Sequence, residues 1–239
     1  MPEIGPGLVA LGLAWYAAFL FSTCCHEAAH AWAALRLGDP TAYLGGQVSL
    51  DPRPHVVREP IGTVVVPILT FALTRQWMMG WASAPYDPAW ADRHPRRAAW
   101  MALAGPAANF SLVILAGLAI RAGVAIGWFS APEQANFSNV VVGDGGLATG
   151  AATLLSVLFS LNLVLGIFNL LPLPPLDGSA ALFLLLPERL GRAWLELLRM
   201  PMLGLVGILV AWRLFPYLFL PVHTTALNLL WPEHTYLYR

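Results

Sequence analysis

Apolar residues in this chain come in long uninterrupted runs, not in the alternating or three-to-four rhythm of half-buried elements. Ile4 to Cys25 is 22 residues without a charge, and a helix needs about 20 to cross a bilayer. Its register continues through His26, Glu27 and His30 to about Leu37, where Gly38, Asp39 and Pro40 stop it. Thr41 to Leu50 is short, Gly-broken and partly alternating, and predicts a strand or hairpin ended by Pro52 and Pro54. Pro60 to Thr74 is 15 residues, short for a full span, and is compatible with either a re-entrant segment or a crossing. Ala98 to Ile120 supplies 23 uncharged residues and a second full span. Leu147 to Leu171 is a third span, broken at Leu171-Pro172-Leu173-Pro174-Pro175, where prolines remove helix donors. A new helix is expected after Asp177, an amphipathic interfacial one over Pro187 to Arg199, and a last span from Met202 to about Leu220, interrupted by Arg213. Between these lie a loop from Arg75 to Arg97, whose Trp77, Trp81 and Trp90 suit the headgroup level, and a Gly-rich outer loop from Arg121 to Gly146.

Composition agrees with lipid as the solvent. Hydrophobic residues make up 58% of the 239-residue chain and charged residues 11%, against about 25% charged in soluble domains. The basic residues are all Arg, balanced by as many acidic ones, with no basic patch that would indicate nucleic acid. Cys24 and Cys25 are adjacent and cannot staple distant segments. The first run lacks a preceding Arg or Lys and a small-residue cleavage site, so it reads as a retained helix. The expected fold class is an all-α polytopic membrane protein. It is a bundle of about four to six membrane helices, with a short membrane-associated strand or hairpin and a broken helix.

His26-Glu27-Ala28-Ala29-His30 carries the chemistry. Residues i and i+4 share a helix face, so both imidazoles reach one metal with Glu27 beside the water it would activate. Ionisable groups inside a membrane helix are functional by default; a polar helix end at the interface is the plainer reading. A catalytic zinc site needs three protein ligands and an open position. Asp177 is the candidate third ligand, because it follows the broken span, and unwound backbone at membrane depth lines a cavity or is buried in protein. Asp177 merely capping the next helix is the alternative. Asn109, near the start of the second span, is expected to join helices. Cys25 points about 100° away from His26; His94, His223 and His234, near predicted loops or interfaces, require no function.

His-Glu-x-x-His in an early membrane helix, with Asn169-Leu-Leu-Pro-Leu-Pro-Pro-Leu-Asp177-Gly178 in a later one, resembles the site-2 protease family of intramembrane zinc proteases. Pro60-Ile-Gly-Thr-Val-Val-Val-Pro67, Gly80-Trp81, Pro95-Arg96-Arg97 and Ala104-Gly-Pro-Ala-Ala-Asn109 resemble its compact bacterial branch. The likeness covers about residues 20 to 190. It implies one Zn2+ per chain held by His26, His30 and Asp177, Glu27 as general base, and Asn169 on the substrate carbonyl or its oxyanion. It also implies a transmembrane protein as substrate. Asp177-Gly178-Ser179 departs from the family's Asp-Gly-Gly, and His55 lies five residues before Pro60, where the family often has a His closer to Pro-Ile-Gly. The expected organisation is a single intramembrane metalloprotease domain over 1–239, with a core at 8–190, C-terminal helices at 191–239 and no regulatory domain.

Two other readings use the same residues. A client-binding pseudoprotease would commonly lack Glu27. A zinc transporter would show repeated halves, which this chain does not. The expected location is a bacterial inner membrane, as a multi-pass protein. Arg36, Arg53, Arg58, Arg75, Arg93, Arg96 and Arg97 precede the second span and Arg189, Arg192 and Arg199 follow the third, whereas Arg121 alone starts the loop between them. With positive residues inside, Pro60 to Thr74 dips in and returns. The site then faces the cytoplasm, roughly 10–15 Å from the first helix's inner end.

Overall fold

The computed structural model describes residues 5–237; Ile4, where the first apolar run was expected to start, and the last two residues of the C-terminal region lie outside them. Helix α1 spans Pro6–Leu37, with proline at its start, where no N–H is needed. Gly38, in the left-handed conformation, closes it by returning its N–H to the last turn. Asp39 then fixes the exit. It is 1% exposed and accepts from the Thr41 N–H and hydroxyl and from the Asp87 N–H. Burial alone would raise its carboxyl pKa, but these donors outweigh it and hold the group below the usual carboxylate range.

The expected strand at Thr41 to Leu50 is absent. Thr41–Leu44 is a helical turn, α2, and Gln47 N–H closes back on Ala42 O at 2.9 Å. The Asp39 side chain starts that turn by bonding Thr41, so local hydrogen bonding overrides the β-like composition. α3 follows at Pro52–Arg58, capped by Asp51. A π-helical turn over Ile61–Val65 runs into α4, Val66–Thr74, and the pair is bent against α3 by 111°.

From Arg75 the chain doubles back along α4 in extended form. The Thr70 hydroxyl accepts from Met79 N–H at 3.0 Å and Trp81 N–H donates to Gly62 O at 3.1 Å. At the mouth, Ser83 donates to Glu59 and accepts from Arg58. Glu59 and Ser83 therefore meet at one end and Arg75 marks the other, so the return expected within Pro60 to Thr74 is made by residues 76–83. The helical arm thus partners part of the backbone of the extended one. α5, Pro88–Arg93, leads into α6, Pro95–Ala125. Trp90, assigned to the headgroup level from sequence, is instead 4% exposed, close to Gly38.

The outer loop carries a two-stranded antiparallel pair, β1 Phe129–Ser130 and β2 Val142–Gly143. α7 covers Gly146–Asn169, α8 Asp177–Ala181 with a 3-10 turn to Leu184, and α9 Glu188–Leu198. α10, Pro201–Leu230, runs ten residues past the expected end at Leu220 despite Pro216 and Pro221. His223 is consequently interior, not interfacial: it is 0% exposed and faces Ser160.

Among the described residues, four helices, α1, α6, α7 and most of α10, are long and apolar enough to cross a membrane. α1, α6 and α7 pack on one another, α10 against α7. The shared faces carry small residues such as Ala18, Ala31, Ala99, Ala102 and Ala152. In lipid, close van der Waals approach replaces hydrophobic burial as the force between helices.

Candidate metal centre

His26 and His30 stack one turn apart on α1, rings edge to face. Both are buried, as is Glu27, which neighbours His30 at the i,i+3 spacing. Asp177 arrives from the broken end of α7. Its side chain does not cap a helix: Leu176 is the cap residue, without a side-chain bond, and Asp177 is the first residue of α8. Gly178 makes this approach possible, since a Cβ there would lie 2.2 Å from Leu170 O at the end of α7.

The structure brings three donor atoms together. Asp177 Oδ2 lies 3.1 Å from His26 Nε2 and 3.3 Å from His30 Nε2, and the two Nε2 atoms are 3.0 Å apart. Gly105 of α6 lies against the two imidazoles, for a Cβ at that position would meet the two Nε2 atoms at 2.3 and 2.5 Å.

The protons on the imidazoles follow from their partners. Asn162 Nδ2 donates to Leu158 O and to Ser22 Oγ, each at 2.8 Å. A carbonyl only accepts, so the Asn162 amide is oriented and its Oδ1 accepts from Asn109 Nδ2 at 2.8 Å. Asn109 Oδ1 then faces His26 Nδ1 at 2.6 Å, and Met101 O faces His30 Nδ1 at 2.8 Å. Both Nδ1 atoms must carry hydrogen, and in the neutral rings both Nε2 atoms present lone pairs.

Two lone pairs and a carboxylate oxygen thus point at one another, and Asp177 Oδ2 is buried with no hydrogen-bond partner. Such a set repels itself unless a cation joins it. The edges of the triangle, 3.0–3.3 Å, approach those of a tetrahedron with bonds of about 2.0–2.1 Å, whose corners are about 3.3–3.4 Å apart. The donor set fits a small, borderline-soft divalent ion. It is the one group of its kind among the described residues.

Asn169 ends α7, and its Nδ2 donates to Leu165 O at 3.1 Å; no bond joins it to the donor triangle. His55 is 1% exposed in α3, with Nε2 on Ser49 O at 3.0 Å, so it is a packed residue and not a loop histidine. Asn109 does join helices, α6 to α1 through His26 and to α7 through Asn162. Sequence reasoning missed Asn162, Ser22, Gly105 and the Met101 carbonyl. Only Asn162 carried a signal, as the single amide in the middle of an apolar span.

A profile of peptidase family M50 matches residues 14–200. The chain belongs to peptidase family M50. Two relatives share the name "Putative zinc metalloprotease". YwhC of Bacillus subtilis (strain 168) is 33% identical over 160 residues, 66% of this chain and 63% of YwhC. Rip2 of Mycobacterium tuberculosis is 32% identical over 166 residues, 70% of this chain and 54% of Rip2. The chain thus spans under two thirds of these M50 relatives' lengths. No solved structure matches it. Family and apolar helices together make it a multi-pass membrane protein.

Proposed function

We propose that the chain is a zinc-dependent endopeptidase that cleaves a peptide bond in or near a transmembrane segment of another protein. The observation that carries this reading is the convergence of two lone-pair imidazole nitrogens and an unpartnered carboxylate oxygen beside a buried Glu27. The relatives' names supply the zinc. Held by His26, His30 and Asp177, zinc would polarise a carbonyl and make a bound water acidic near neutral pH. Glu27 takes the proton as water attacks the scissile carbonyl and hands it to the leaving amine. Asn109 and Met101 keep the imidazoles aimed, so the site is set before substrate arrives. Asn169 stands where the chain unwinds. For it to reach the substrate carbonyl, its Nδ2 must exchange Leu165 O for the new acceptor.

The test is Glu27→Gln in detergent-purified protein. Zinc content stays near one per chain while cleavage of a single-span substrate falls at least about a hundredfold. Undiminished cleavage would remove Glu27 from the mechanism; lost zinc would make it a ligand.

A cytoplasm-facing site is supported by Arg53, Arg58, Arg93, Arg96 and Arg97 between the first two spans, whereas Arg75, at the turn of the hairpin, stands apart from them. Cysteine at Ala89 should react with an impermeant thiol reagent only once the cytoplasmic face is opened, and cysteine at Gln134 from outside. The opposite pattern reverses the orientation without touching the chemistry.

A further inference from the structure

The arginines at the start of α6 surround a cavity of about 250 Å³ whose walls come from α6, α9 and the segment between α8 and α9. Arg93, Arg96, Arg97 and Arg192 line it, with Glu188 as the one carboxylate and Phe183 beneath. Arg192 is paired with Glu188 at 2.9 Å, Arg93 reaches Asp87 only at 3.5 Å, and Arg97 donates to a neutral acceptor, Leu37 O. Among the described residues, no carboxylate lies within 4.0 Å of the Arg96 or Arg97 guanidinium.

The helix itself sharpens this excess. α6 is 31 residues long, its cap residue His94 makes no side-chain cap bond, and its first turn holds no acidic residue. Arg96 thus sits at the positive pole of a long helix, where anions are favoured and cations are not, while Arg97 reaches across to the last carbonyl of α1. An arginine cluster around a cavity, at a helix start with no acidic residue in its first turn, calls for an anion.

Its depth identifies the class of anion. The apolar run of α6 begins at Ala98, two residues past Arg96, and Trp100 lies exposed on its flank. α9 presents Leu190 and Leu197 outward beside the charged residues of its other face. The cavity therefore opens where headgroups meet hydrocarbon.

We infer that this cavity binds the phosphate of an anionic phospholipid headgroup, which bridges Arg96 and Arg97 of α6 to Arg192 of α9. Arginine forks match phosphate oxygens bidentately. The bridge has a structural consequence. Trp194 of α9 donates to Ser179 O at 2.7 Å, two residues after Asp177, so a headgroup that holds α9 on α6 also steadies the segment that delivers Asp177. None of this depends on the peptidase reading.

The test is lipid retention by the full chain, read by native mass spectrometry from detergent with added phosphatidylglycerol, phosphatidylcholine or inorganic phosphate. Wild type retains phosphatidylglycerol in preference to phosphatidylcholine. Arg96→Gln combined with Arg192→Gln weakens that retention at least about tenfold, two cationic contacts being lost. Arg53→Gln combined with Arg189→Gln removes the same charge away from the cavity and leaves retention unchanged. Equal weakening by the two pairs would reduce the effect to general surface charge and overturn the site. Saturation by inorganic phosphate at the same concentration would keep the cavity but overturn the lipid as its occupant. Thermal midpoints in phosphatidylcholine verify that each variant is folded.

Discussion

α6 passes through two regions held together in different ways. Its first half, Ala99 to Asn109, faces the metal centre, and the contacts there are specified atom by atom: Met101 O on His30, Gly105 against both Nε2 atoms, Asn109 on His26 and Asn162. Its second half, Ala116 to Gly123, belongs to an apolar cluster with Phe129, Val140, Phe159, Leu227 and Trp231. There the contacts are mainly of shape, with Ile120 at 0% exposure, and Arg121 adds one polar tie, donating to Leu230 O at 3.3 Å with its guanidinium over Trp231. The first region gives up packing volume to place a connected set of polar groups; the second fills its volume and places only Arg121, at its edge. Changes in the first should therefore cost metal and turnover before stability, and changes in the second the reverse.

The largest break in this contrast is Gly105→Ala. The added methyl occupies space held by the two Nε2 atoms, so the imidazoles must swing apart. A misplacement of this size costs more than about a hundredfold in turnover, and zinc content should fall with it. Unchanged zinc and turnover would show that α6 can retreat, and that its first half is no more constrained than its second.

Asn162→Leu comes next. It leaves the ligands in place but removes the acceptor for Asn109 Nδ2, freeing the Asn109 amide to flip and offer His26 a donor. Loss of an outer-shell partner costs about 10–100-fold in metal affinity or activity. The readout is zinc affinity against a chelator. Asn162→Ser, which keeps an acceptor, should restore part of it. Equal affinity in Asn162→Leu and wild type would leave the network a mere helix clamp.

Much of the first region was legible in sequence, and the second hardly at all. Charges and imidazoles inside apolar runs are costly, so His26, Glu27, His30 and Asp177 stand out against their surroundings. Apolar length likewise placed α1, α6 and α7 to within a few residues. Asn162 escaped notice because a single amide costs far less than a charge, though the same logic applies to it. The outer cap was illegible because β1 and β2 are two residues each, too short for any alternation to show. Pro221 concealed the last third of α10, since proline breaks helices in water but is accommodated within a bundle. Thr41 to Leu50 misled for the opposite reason. Its composition is β-like, while one aspartate upstream, Asp39, decides its conformation through Thr41.

Asp39 offers the third test. It lies in the polar region but touches no part of the metal centre, tying the end of α1 to the loop before α5. Asp39→Asn loses charge-assisted bonds worth about 2 kcal/mol, with zinc affinity intact. Because its native carboxyl pKa is lowered, its contribution is complete above the ordinary carboxylate range and disappears as pH falls through the lowered value. The stability gap between wild type and Asp39→Asn, from chemical denaturation, should therefore close on acidification. A gap independent of pH would assign the effect to packing.

The smallest effect belongs to the apolar half. Ile120 is enclosed by the outer cluster, so Ile120→Val removes one methylene and leaves a small void. The cost is about 1 kcal/mol of stability, read from denaturation in the same detergent, with zinc affinity and turnover at wild-type values. The informative experiment pairs it with Asn162→Leu. The two positions lie in different helices, and Leu158 alone is common to their surroundings, giving its backbone O to Asn162 and its side chain to the apolar cluster. Their effects should add within about 0.5 kcal/mol. Additivity means that α6 is two independent surfaces on one rod: the outer half sets how firmly the bundle holds, the inner half where the imidazoles point. A coupling well above that value would mean that a void near Ile120 shifts α6 as a body, carrying Asn109 with it, and the aim of His26 would then depend on packing far from the metal.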